Sequence, residues 1–271
     1  MEIRAEETAE RWAPPWWTVF IVGLVLWVAT IAVARVTRNV ILLPTIVLLG
    51  SFLVPITAVV WYLDHDPSPA LSPRRIVAAF LIGGVLGVLG ASLLEYWLVK
   101  VGLIGGFEVG LIEEFVKGVF IVVVALGISR FHMRDGMVLG ATVGFGFAAL
   151  ESSGYALASL FVVQGNQLVL SLNSVIFTEL VRGVLAPFGH GMWSAILGGA
   201  IFAAARRGGL RLTWGVLGTY LLIAGLHGIF DSMTSIVGFG IVSLIGLIPF
   251  IWLWRRGDAG GVLPRRAASV G

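Results

Sequence analysis

Apolar residues fall in eight long stretches: 16–34, 40–62, 76–99, 103–129, 136–163, 174–205, 212–232 and 234–254. Each is close to or longer than the roughly 20 residues a helix needs to cross a hydrocarbon core of about 30 Å. They are apolar on most faces, as a helix surrounded by lipid should be, and not along a single stripe. They do not alternate polar with apolar, so a β-barrel is not predicted. The pattern predicts an all-α fold, a polytopic transmembrane helical bundle of about eight spans. One domain covers 16–254, between a short N-terminal segment, 1–15, and a basic tail, 255–271. Glycines such as Gly83, Gly84, Gly87 and Gly90 would let helices pack closely in lipid.

Composition sharpens this reading. Hydrophobic residues make up 58% of the chain and charged residues 12%, with mean hydropathy +0.98. A soluble domain carries about 25% charged residues, and a water-soluble fold of 271 residues could not hide this much apolar surface. There is no cysteine, so disulfides and thiolate metal sites are excluded. Net charge is +3. The basic residues lie in loops and tails, with no aromatic-basic nucleic-acid motif, so they read as orientation signals and no nucleic-acid partner is expected.

Thirteen of the 18 Lys and Arg residues would face one side of the membrane: Arg4, Arg11, Arg74, Arg75, Arg130, Arg134, Arg206, Arg207, Arg211, Arg255, Arg256, Arg265 and Arg266. Arg35, Arg38 and Lys100 would face the other. Short basic loops stay cytoplasmic, which predicts cytoplasmic termini. Arg35 and Arg38 are the discordant pair. Residues 1–13 contain Glu2, Glu6, Glu7 and Glu10, unlike a basic signal n-region, so the first apolar run is expected to remain as a span.

The spans nevertheless contain Glu95, Glu108, Glu113, Glu114, Lys117, Glu151, Glu179, Arg182, His190, His227 and Asp231. A charge at mid-membrane costs about 2.5–3.5 kcal/mol, so even six facing lipid would cost on the order of 15–20 kcal/mol, more than a typical fold's net stability. They must meet one another, or water, inside the bundle. Lys117 follows Glu113 and Glu114 by four and three residues and can pair with either. Glu151 lies among Gly140, Ala141, Gly144 and Gly146, which let neighbouring helices crowd round it. Pro187 is expected to kink the sixth span just before His190. His227 and Asp231 share one helix face. Glu179 and Arg182, one turn apart, read as a pair of their own, with Arg182 alternatively binding substrate or balancing the acids. Counted along the spans, the acids and imidazoles fall in one band in the outer half of the membrane.

Four elements in order, Glu113-Glu114-x-x-Lys117, the Phe-x-x-x-Glu ending at Glu151, the membrane His190, and His227-x-x-x-Asp231, resemble the PrsW family of intramembrane proteases. That family is a relative of the CAAX prenyl endopeptidases and bacteriocin-immunity membrane proteins. The resemblance covers about 103–232. It implies a polytopic hydrolase of a bacterial or archaeal cell membrane that cuts a membrane protein or peptide, an anti-sigma factor being the family's kind of substrate. Peptide hydrolysis needs an activated water, a base and stabilisation of the oxyanion, and a divalent ion can supply the first and third. Without cysteine, imidazole and carboxylate remain as ligands, and zinc is the natural choice. The expected ligands are Glu151, His190, His227 and Asp231, the last alternatively orienting His227. Glu113 or Glu114 would be the base, with Lys117 orienting or neutralising the other glutamate. A metal-free version, in which a glutamate activates water and His227 stabilises the oxyanion, stays open. The rival reading is a secondary transporter using the same cluster as an ion or proton relay. It would favour inverted repeats, which the chain does not show. A non-catalytic scaffold is the third.

Overall fold

The structure, a computed structural model, describes residues 14–65, 68, 70–99, 107–206 and 209–257. Most of the N-terminal segment, Lys100, Arg207 and the tail beyond 257 lie outside the described residues. The helices are α1 (Trp16–Thr37), α2 (Leu43–His65), α3 (Pro73–Leu81), α4 (Gly87–Leu98), α5 (Phe107–Ala125), α6 (Met133–Ser159), α7 (Leu172–Leu185), α8 (His190–Ala205), α9 (Trp214–Asp231) and α10 (Ile236–Arg256). α3 and α4 are joined by a π turn at Ile82–Leu86, so together they make the third apolar stretch. Among the described residues, six segments are long and apolar enough to cross a bilayer. The chain is thus an integral membrane protein of helical class. α5, with 19 residues, and α6, with 27, carry the acids of the cluster and fall outside those six, so a count of eight rests on these two.

Two details differ from the hydropathy reading. The fifth stretch was expected to stay helical to 163, but α6 ends at Ser159 and Phe161–Gln164 forms strand β1, paired antiparallel with β2 (Gln167–Leu170). Phe161, Val162 and Val163 are apolar and so extend a hydropathy run, yet aromatic and β-branched residues also suit a strand. Gly165, at φ 61°, starts the two-residue turn with Asn166 that folds the chain back. The sixth stretch is broken, not merely bent. After α7 comes one 3-10 turn, Ala186–Phe188, and α8 then starts at His190. Pro187 lacks the N–H that would continue α7.

α6 and α8 form the centre of the bundle. On α6, Gly136, Gly140 and Gly144 recur every four residues and so lie on one face. Against them lie Gly198, Ser194 and His190 of α8, also four apart. A Cβ on Gly140 would lie 2.0 Å from the Ser194 carbonyl oxygen, and one on Gly144 would lie 2.2 Å from that of His190. The backbones therefore touch, and this close approach seats His190 beside the acid-bearing helices. Gly140→Ala is expected to force α6 and α8 apart and to cost about 1–3 kcal/mol as an overpacked contact. A lowered unfolding midpoint in detergent would show it, and an unchanged midpoint would mean the helices can yield. α5 is tied to α9 where Tyr220 donates its hydroxyl to the Leu111 carbonyl at 2.8 Å. Arg35 donates to Asn173 Oδ1 at 2.7 Å, so the end of α1 and the start of α7 share one end of the bundle, the end carrying the β hairpin.

Candidate active site

The site is assembled from four helices near that same end. Glu113, Glu114 and Lys117 come from α5, Glu151 from the last part of α6, His190 from the first residue of α8, and His227 from the last turns of α9. Glu114, Lys117 and His227 have no exposed surface, and Glu113 and His190 are also buried. In apolar surroundings such groups have to satisfy one another.

Lys117 is the hub on α5. Its ammonium donates to Glu113 Oε2 at 3.1 Å, to Glu114 Oε1 at 2.7 Å and to His190 Nδ1 at 2.8 Å. It lies 4.3 Å from the centroid of the Phe147 ring, a favourable cation–π placement. An ammonium has no lone pair, so Nδ1 of His190 must be the acceptor and the ring proton sits on Nε2. That Nε2–H faces Glu151 Oε2 at 2.9 Å. His227 is held in the same way from the other side, with Nδ1 3.0 Å from Glu114 Oε1. Each imidazole is thus gripped through one nitrogen by a carboxylate. The other nitrogens face a single atom: Glu113 Oε2 lies 3.7 Å from His190 Nδ1 and 3.6 Å from His227 Nε2. The two rings stand nearly edge to face, with centroids 4.9 Å apart.

Asp231 Oδ2 lies 3.2 Å from His227 Nε2, and its side chain is 39% exposed. Arg182 reaches in from α7 and donates to Glu151 Oε2 at 2.5 Å and to Ser152 Oγ at 2.7 Å, with its guanidinium over the Tyr155 ring. The expected pairing of Glu179 with Arg182 is not formed. Glu179 instead accepts from Ser51 of α2 at 2.8 Å, because the two side chains leave α7 toward different neighbours. Glu95 takes no part in these hydrogen bonds and ion pairs. Sequence reasoning missed Ser152 and Tyr155. Both lie on α6; Tyr155, four residues after Glu151, shares its helix face, and that spacing was the available signal, whereas Ser152, one residue on, carries none.

A cleft of about 350 Å³ opens beside the cluster, lined in part by Glu151, Tyr155, Arg182, His190 and Asp231 on its polar side and by Phe230 and Phe239 on its apolar side. The buried cluster therefore has an approach by which water and a chain segment can arrive.

Among the described residues, Glu113, His190 and His227 each offer a donor atom within 4.8 Å of the others. Nε2 of His227 is buried and has no hydrogen-bond partner, although carboxylate oxygens of Glu113 and Asp231 lie near it. A nitrogen lone pair facing carboxylates is a set of acceptors lacking a cation; His190 Nδ1, which accepts from Lys117 here, would complete a donor set of two imidazoles and a carboxylate for a divalent ion once the ammonium moves off it. Glu151 lies outside this triad, its Oε2 facing Nε2 of His190 at 2.9 Å.

Acids and imidazoles gathered at one end of a membrane bundle, beside an open cleft, suit hydrolysis at a single centre better than a relay across the membrane. The class is that of membrane-embedded hydrolytic enzymes. Comparison with known proteins makes it specific: the profile of the PrsW family of intramembrane metalloproteases matches residues 72–254, and the chain belongs to that family. Protease PrsW of Geobacillus kaustophilus (strain HTA426) is 25% identical over 191 residues, spanning 68% of this chain and 78% of that protein. No solved structure matches the chain. The chain is accordingly an intramembrane protease, and the transporter and scaffold readings lose their ground.

Proposed function

We propose that this protease hydrolyses a peptide bond of a membrane protein or membrane-associated peptide at Glu113, with Glu114 and Glu151 as orienting carboxylates and not as base or ligand. The observation that carries this reading is the convergence of both imidazoles and Lys117 on Glu113 Oε2. A divalent ion would be held by Glu113, His190 and His227, with Asp231 beside them, and zinc suits this donor set. When bound it would supply a Lewis acid and a water of lowered pKa.

The chain's own residues do the rest. Glu113 would face the ion through Oε2, and its other oxygen, Oε1, takes the proton of the attacking water and returns it to the leaving amine. Glu114 holds the His227 ring through Nδ1, and Glu151 holds the His190 ring through Nε2, so that neither can turn away from Glu113. Lys117 balances two buried carboxylates, and Arg182 balances Glu151 at the edge of the cleft. The apolar wall at Phe230 and Phe239 receives a substrate side chain. We place both termini in the cytoplasm on the distribution of basic loops, so the site lies in the outer half of a cell membrane. An anti-sigma-factor-like protein is a substrate consistent with the family.

The test is metal content and cleavage measured together on the purified chain in proteoliposomes, with a reporter membrane substrate. About one divalent ion per chain is expected, with both ion and cleavage lost in His190→Ala/His227→Ala. Full cleavage by metal-stripped protein would overturn the ion and leave a glutamate mechanism. Absence of cleavage in ion-loaded protein on every membrane substrate tried would overturn the site.

A further inference from the structure

On the other side of Glu114 from the cleft, α5, α8 and α9 leave a trough of about 610 Å³. It has no role in the chemistry above. Its walls are apolar, among them Val119, Val122, Ile201 and Leu217. From Glu114 to Val123 on α5 it extends about 14 Å along the helix, at 1.5 Å per residue. At the deep end Glu114 is fully buried, and its Oε2 has no hydrogen-bond partner. At the mouth stands Arg211, whose Nε donates to the Ala204 carbonyl at 3.1 Å and so fixes the guanidinium in place. Leu212 and Trp214 flank it, 79% and 87% exposed. Arg206 lies on the same loop, in the run Ala-Arg-Arg-Gly-Gly-Leu-Arg ending at Arg211. This loop joins α8 to α9, at the opposite end of the bundle from the active site.

The shape and charge select one kind of occupant. A hydrocarbon chain suits the apolar walls, and an anionic group suits the cation at the mouth. The cation, Arg211, stands where the helices leave the membrane, beside an exposed Trp and Leu of the kind that anchor at the headgroup level. Basic pockets between helices at that level suit anionic headgroups. We propose that the trough binds an anionic phospholipid, with its headgroup on Arg211 and one acyl chain running inward along α5.

The test uses the full chain in detergent micelles with equimolar dioleoyl phosphatidylglycerol and dioleoyl phosphatidylcholine, and counts retained lipids by native mass spectrometry. The anionic lipid is expected to be retained in preference. Arg211→Gln, an exposed change, is expected to weaken that retention about fivefold, the effect of one surface cation on an anionic headgroup. Val119→Trp, at a position 41% exposed to the trough, should block retention of either lipid there without disturbing the core. Arg38→Gln, at the far end of the bundle, should change nothing. Equal retention of the two lipids, or anionic lipid held as well by Arg211→Gln, overturns the proposal. If Val119→Trp fails to fold, Arg211→Gln decides alone. The readout is binding, so the outcome does not depend on proteolysis.

Discussion

Glu113→Gln is expected to leave the bundle folded and to reduce cleavage of a reporter membrane substrate by about 10²–10⁴-fold, the usual contribution of a general base. The amide keeps the size of the carboxylate, and Lys117 retains Glu114 as its partner at 2.7 Å, so the hub does not collapse. What is lost is the oxygen anion on which both imidazoles converge. Glu114→Gln is the informative companion. Glu114 grips the His227 ring from behind, and loss of such an orienting partner costs about 10–100-fold. The order of the two defects separates the adjacent glutamates. Full activity in Glu113→Gln, with activity abolished in Glu114→Gln, would reverse the roles. Circular dichroism of both variants would confirm that helix content is unchanged.

Lys117→Met is expected to give the largest loss of stability of any single change at the site. The ammonium is wholly buried, balances two carboxylates and donates to a histidine. Breaking a buried charge pair by removing one partner costs about 3–5 kcal/mol, because the charge left behind is uncompensated. The midpoint of unfolding in detergent should fall accordingly. A double variant, Lys117→Met/Glu114→Gln, should recover part of the loss, since it removes one of the stranded charges. A Lys117→Met protein as stable as the parent would show that water already solvates these acids, contrary to their burial.

Apolar run length was enough to find the helices and their class, because a bilayer imposes a length on whatever crosses it. It could not find the hairpin at 161–170. Phe161, Val162 and Val163 satisfy a helix and a strand equally, and the choice was made by pairing with Leu168, Val169 and Leu170 across the Gly165-Asn166 turn. The break before His190 was legible as Pro187. Its extent was not, because one proline can bend a helix or end it depending on what the next helix packs against. Here α8 restarts against the glycine row of α6.

By itself, the sequence determined which groups had to meet. Eleven ionisable groups in the apolar spans, from Glu95 to Asp231, could not face lipid and had to meet one another or water inside the bundle. Their order along the chain resembled one family of proteases. Tertiary structure alone decided who faces whom: Glu113 at the centre, Glu114 and Glu151 behind the two imidazoles, Arg182 on Glu151, and Glu179 turned away to Ser51. The physical reason is that hydropathy and spacing set a residue's depth and its face on its own helix, whereas partnership also needs the rotation and approach of the neighbouring helix. Those are set by small residues packing backbone against backbone across α6 and α8.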